Sequence, residues 1–244
     1  MWTLPYGLTQ ANLMFAFRES NTPGKIIVAL LFIGSIFAWS IMITKLRVLR
    51  RARRDSIVFL RSYRSEADRP LRMYQAGESL ESSPLYAIYA SACDVIGDEL
   101  DGLDGDARDI FLPGDGHVPH PATSFKLRRM KNAAERTMAD QALRLDSDMG
   151  LLATAVSAAP FLGLLGTVWG VMGAFSGMAV TGSPTMDAVA PGISGALLTT
   201  VVGLLVALPS AIGYNTLSST IRHLCVAMES FCEEMLSDLE VYVT

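Results

Sequence analysis

The sequence predicts an all-α integral membrane protein, in which three transmembrane helices continue as long helices into the cytoplasm. Two observations predict it. Three stretches, 23–44, 149–175 and 192–215, are mostly apolar over about 20 residues or more, the length a helix needs to cross the hydrocarbon core. No Asp, Glu, Lys, Arg or His interrupts 149–186 or 188–221. A charge-free pair of stretches this long satisfies its backbone in lipid as a helical hairpin. Elsewhere, over 45–148 and 216–244, charged residues return and apolar ones recur at three- and four-residue steps, the helical period.

Composition requires both environments. Half of the 244 residues are apolar and 18% are charged, and the mean hydropathy is +0.34, too apolar for a soluble domain and too charged for membrane alone. A net charge of -4 gives no case for nucleic acid. Cys93, Cys225 and Cys232 form neither a CxxC motif nor an even set, as expected of idle thiols in a reducing compartment.

The N-terminal segment 1–22 lacks a basic region followed by an apolar core and a small-residue cleavage site, so it is not read as a cleaved signal. Leu13, Met14, Phe15 and Phe17 suggest a short interfacial helix. Thr22 and Pro23 then supply a helix cap and a proline in the first turn. The first span, 23–44, holds IIVALLFIGSIFAWSIMI, and Lys45, Arg47, Arg50, Arg51, Arg53 and Arg54 follow at once. Excess positive charge marks the cytoplasmic end, which places the N-terminus outside, and these six residues are expected to meet anionic lipid head groups.

Region 45–148 reads as cytoplasmic and helical. VFLRSYRSEADRPLRMYQ and SPLYAIYASACDVIGDEL have amphipathic helical spacing, and an acidic Gly- and Pro-rich loop follows at about 101–124. The acidic spacing lacks the closing Glu of an EF-hand, and His117 and His120 lack a third metal ligand in reach. No metal or cofactor is expected. Thr123 or Ser124 is placed to cap the next helix, in which Leu127, Met130, Ala134, Met138, Leu145 and Met149 form one face. Without a breaker, that helix is expected to run straight into the second span.

The second and third spans, 149–175 and 192–215, flank an external loop, 176–191, that has no Lys or Arg. Small residues line one face of each: Ala159, Gly163, Gly166, Gly170, Gly173 and Gly177, then Gly192, Gly195, Thr199, Gly203, Ser210 and Gly213. Such stripes let helices approach closely in lipid. Beyond them, Leu217, Ile221, Leu224, Met228, Phe231, Met235 and Leu239 form a coiled-coil-like stripe over the cytoplasmic segment 216–244.

Chemistry in the hairpin is limited to hydroxyls. No GxSxG, HExxH or P-loop occurs, and the hairpin offers no acid or base, so enzymatic activity is not expected. Proton movement through a membrane normally needs an ionisable relay. Here a partner helix would have to bring the carboxylate, with threonines lining the path.

APFLGLLGTVWGVMGAF and AVAPGISGALLTTVVGLLVALPSAIGYN resemble the signature helices of the MotA/TolQ/ExbB family of proton-channel motor subunits, closest to its TolQ and ExbB branch. SIFAWSIMITKLRVLRRARR extends the likeness into the first span. The resemblance implies a pentameric ring in the bacterial inner membrane, with periplasmic N-terminus and cytoplasmic C-terminus. It implies an ExbD- or TolR-like single-span partner that supplies an Asp, and a TonB- or TolA-like transducer that takes the work to the outer membrane. It places Thr167 and Thr200 on the proton path, with Thr199 and Ser210 beside them as lining hydroxyls. Pro160 and Pro209 match the family's helix-kinking prolines, and Gly166, Gly170, Gly195 and Gly203 serve packing. One departure stands out: PGISGALLTT has Gly195 where the family commonly carries a Glu. Two further readings stay open, a non-conducting scaffold and a specialised motor driving another load such as gliding or defence.

Overall fold

The computed structural model describes residues 17, 21–65, 74, 80, 82–100, 121–181 and 185–243. Its helices are α1 (Thr22–Ser65), α2 (Pro84–Leu100), α3 (Pro121–Asp146), α4 (Met149–Thr181) and α5 (Met186–Val243). Three helical segments, within Thr22–Ser65, Leu127–Val180 and Val189–Glu240, are long and apolar enough to cross a membrane. The chain divides into two units, one of Met1–Thr44 with Asp148–Thr216, the other of Lys45–Ser147 with Leu217–Thr244.

In the first unit, the start of α1, helix α4 and the first half of α5 contribute to a small core of Ile27, Leu31, Ala159 and Ala207, with Leu162, Val202 and Val206 packed on it. Most large side chains point outward instead. Phe32, Phe37, Phe161, Leu205 and Leu208 are all exposed, which suits a surface solvated by lipid rather than water.

The second unit is built on aromatic packing. On α1, Lys45, Leu49, Ala52, Ser56, Phe59 and Tyr63 are buried at helical spacing. Phe59 meets Tyr86, Tyr89 and Phe231 at ring-centroid distances of 5.8, 5.6 and 5.3 Å. All seven residues of the expected C-terminal stripe, Leu217 to Leu239, are buried. Helix α2 starts where the Ser83 hydroxyl accepts the Tyr86 N–H at 3.2 Å, an N-cap bond, and it buries Leu85, Ile88, Tyr89, Ala92 and Cys93.

Four expectations bear on the helix bounds. First, the helix that holds the first span continues unbroken past 44 to Ser65, because nothing in KLRVLRRARRDSIVFLRSY breaks a helix. The second concerns the entry to the second span, where the expected continuous helix is interrupted: α3 stops at Asp146 and α4 begins at Met149. Asp148 adopts a left-handed conformation, φ 62°, which Asp tolerates better than most residues. Third, α4 runs to Thr181 and α5 starts at Met186, so the loop is much shorter than 176–191. Pro191 lies inside α5, past its first turn, and leaves the carbonyl four residues back without its backbone donor. Fourth, α3 begins at Pro121, so Thr123 and Ser124 lie inside a helix that a proline opens. Leu13, Met14, Phe15, His117, His120 and positions 101–120 of the expected loop lie outside the described residues, while Phe17 is helical and exposed.

Lys45 also departs from expectation. It is 6% exposed and donates to Ser147 Oγ at 2.7 Å, to the Leu145 carbonyl at 3.3 Å and to the Arg144 carbonyl at 3.5 Å. A helix leaves its last carbonyls unsatisfied, and a cation there is favoured by the helix dipole. Lys45 therefore caps α3 rather than meeting lipid head groups.

Candidate ion-pathway site in the helical hairpin

The site begins with the closeness of two backbones. A Cβ placed on Gly203 of α5 would lie 2.6 Å from the Ala159 carbonyl oxygen of α4, and one on Gly163 would lie 2.9 Å from the Thr199 carbonyl oxygen and 3.0 Å from the Thr200 Cα. A Cβ on Gly170 would lie 2.6 Å from that of Ala196, and one on Gly166 would collide with the Thr199 side chain. Only glycine permits this approach. It brings hydroxyls on α5 within reach of carbonyls on α4, which a pair of larger helices would hold apart.

Three of the four expected hydroxyls meet there. Thr199 Oγ1 lies 3.0 Å from the Gly163 carbonyl and 2.7 Å from the Ala196 carbonyl. Thr200 Oγ1 lies 3.0 Å from the same Gly163 carbonyl and 3.3 Å from Thr167 Oγ1. Thr167 Oγ1 donates to the Leu164 carbonyl at 2.6 Å. The Gly163 carbonyl thus has two adjacent threonine hydroxyls within hydrogen-bond distance. Thr199 is fully buried, whereas Thr167 and Thr200 are half-buried.

Ser210 lies apart. It is buried and donates to the Val206 carbonyl at 2.8 Å on its own helix, the usual local bond of a membrane hydroxyl. Thr154 and Ser157 likewise bond back to Gly150 and Ala153. Pro160 lies inside α4 and Pro209 inside α5, and Gly195 is buried on α5.

Chemically, the cluster offers hydroxyl hydrogen bonds and a shared carbonyl, but no group that titrates near neutrality. It can orient a carboxylate or a water but not take up a proton itself. Among the described residues, no three His, Cys, Asp or Glu gather as a metal set.

The sequence reading did not single out the Gly163 carbonyl. Its signal was available: Gly163 and Gly166, on the small-residue face of one span, fall opposite Thr199 and Thr200 on the small-residue face of the other. The Lys45 cap had no such signal, since its acceptors lie about 100 residues away.

The family model of the MotA/TolQ/ExbB proton channel family matches residues 117–230, which include the entire hydroxyl cluster. The chain belongs to the MotA/TolQ/ExbB proton channel family. It is 28% identical over 240 residues to the Tol-Pal system protein TolQ of Haemophilus influenzae, covering 94% of each chain. To the biopolymer transport protein ExbB of Pseudomonas putida it is 32% identical over 205 residues, 84% of this chain and 56% of the relative. To ExbB of Salmonella typhimurium it is 43% identical over 93 residues, 38% of this chain and 35% of the relative. The match to TolQ is thus nearly end to end, whereas the match spans little more than half the length of the Pseudomonas putida relative and about a third of the Salmonella typhimurium one. Within the family match lie Pro160, Thr167, Gly195, Thr199, Thr200 and Pro209.

Proposed function

We propose that this protein is the ring-forming subunit of a proton-driven motor of the bacterial inner membrane. The observation that carries the proposal is the Thr167–Thr200–Gly163 cluster, set between two spans, 149–175 and 192–215, with no Asp, Glu, Lys, Arg or His. In the proposed mechanism the chain assembles as a homo-oligomer, a pentamer by analogy with its family. The ring admits helices of an ExbD- or TolR-like partner, whose Asp takes and releases the proton while the threonines position it. A TonB- or TolA-like transducer carries the resulting work toward the outer membrane. The N-terminus is periplasmic and the C-terminus cytoplasmic, with Arg47, Arg50, Arg51, Arg53 and Arg54 near anionic head groups. The proposal assigns no covalent chemistry and no cofactor to this chain. Gly195, where the family commonly has Glu, supports a branch whose load differs, such as gliding or defence.

A second reading is a non-conducting scaffold. It is favoured by the burial of Thr199, whose hydroxyl is consumed inside the chain. Reconstitution separates the two. Liposomes holding the chain with its partner should acidify under an imposed potential, while the chain alone or with an Asp→Asn partner should not. Equal silence of all three would leave the scaffold.

A further inference from the structure

Within the unit of Lys45–Ser147 and Leu217–Thr244, α1 and α5 run parallel. Phe59 and Tyr63 both meet Phe231, at 5.3 and 5.2 Å. Further along, Tyr63 donates to Asp238 at 3.1 Å, and Arg64 binds both carboxylate oxygens of Glu234 at 2.7 and 2.8 Å. The buried stripes of the two helices face each other, so their opposite stripes point away on different sides.

Those outward stripes have matching character. On α1, Arg50, Arg53, Arg54, Ile57, Val58 and Arg61 line a shallow groove of about 300 Å³, with Ile57 51% and Val58 47% exposed. On α5, Val226 is 54% exposed, and Glu229 and Glu233 beside it are exposed too. The Arg64–Glu234 pair sets the register. At about 1.5 Å of rise per residue, Arg61 lies within about half a turn of both Glu229 and Glu233 in height, and Val58 within about half a turn of Val226. Apolar groups thus share one level and opposite charges the next.

Lipid accounts for only the near end of the arginine stripe. Arg61 lies ~27 Å along the helix from Ile43, whereas the head-group layer is only about 5–8 Å deep per leaflet and charges act over about 8 Å in physiological salt. Adjacent exposed aliphatic side chains ringed by like charges, beyond that layer, suit a protein surface of opposite charge better than lipid.

We propose that the Ile57–Val58–Arg61 face of α1 docks on the Val226–Glu229–Glu233 face of α5 in a second copy of this chain. The proposal rests on the ring reading above and names the surface that closes it. A contact between two different faces propagates head to tail, and a cyclic ring requires the faces to meet at equal height, as these do.

The test uses full-length chains in membranes, with Cys93, Cys225 and Cys232 replaced by Ala. One tagged copy carries Arg61→Cys and a differently tagged copy Glu229→Cys. Mild oxidation should join the two tags, and either substitution alone should not. In chains retaining the native cysteines, Arg61→Glu should lower the oligomer fraction about fivefold, the weight of two exposed ion pairs. Adding Glu229→Arg and Glu233→Arg should restore it. An intact ring with no mixed crosslink, or a swap with no rescue, overturns the contact. The readout needs no proton flux: a ring that crosslinks but never conducts removes the motor and keeps the interface, and one that conducts without crosslinking does the reverse.

Discussion

Thr200 Oγ1 lies 3.3 Å from Thr167 Oγ1, bringing the two helices of the hairpin together on their half-buried flank. Thr200→Val and Thr167→Val keep the shape and remove the hydroxyl. Each should lower proton flux with the partner roughly tenfold, the order of one hydrogen bond's free energy, while leaving co-purification of the partner intact. Thr→Ser at either site should recover most of the flux. Wild-type flux from both valine variants would remove these residues from the path.

Gly203 and Gly163 hold the hairpin together by having no side chain. Gly203→Leu would drive a side chain at the Ala159 carbonyl, so the helices must part, at a cost of about 1–3 kcal/mol or more. Thermal unfolding in detergent should show a clear drop, and the Gly163 carbonyl should lose its threonine donors. Gly195→Leu, at a buried position on the same helix, should likewise disturb assembly. Unchanged melting in either variant would contradict the close packing.

Lys45→Met retains length and apolar bulk but removes the donor to Leu145, Arg144 and Ser147. Loss of these bonds should cost about 1–3 kcal/mol and speed proteolysis at Ser147–Asp148. If denaturation and cleavage rates stay as in the parent, the amine is not a cap.

Titration gives two further expectations. Burial pushes the Cys93 thiol up to about 12, so its thiolate is scarce at pH 8. Maleimide should label the native chain at Cys225 well before Cys93. The second concerns Glu234, whose carboxyl is held below its usual range by the hydrogen bond from Arg64. A lowered folded-state value means stabilisation that is full above the unfolded value, about 4.3, and is lost as pH falls through the folded one. The pair is partly exposed, so Arg64→Ala should cost under about 1 kcal/mol at pH 7. That difference should shrink as pH falls below about 4.3, as read by denaturant midpoints.

The spans were legible because lipid allows few alternatives to an apolar helix, and the Leu217–Leu239 stripe because its period repeats for six turns. The glycine faces were legible for the same reason: 100° per residue puts Gly163 and Gly203 where a partner helix must press. The interruption at Ser147–Asp148 was not. Neither residue is a strong breaker, and the donor that caps the preceding helix is remote in sequence. The loop at 176–191 was overestimated since polarity, rather than a stop signal, set its bounds. Among the hydroxyls, residue type alone grouped Ser210 with Thr167 and Thr200. Only the crossing of the helices separates one that bonds its own helix from two that reach across.

The charge-free hairpin has a consequence for how the protein is made. Each Asp, Lys or Arg at a helix centre adds about 2.5–3.5 kcal/mol to the insertion of that helix by the translocon, and α4 presents none at all. With Gly195 in place of an acidic residue, the third span avoids a comparable penalty. Newly synthesised subunits therefore carry no buried charge at the centre of either span that another polypeptide would have to neutralise for insertion.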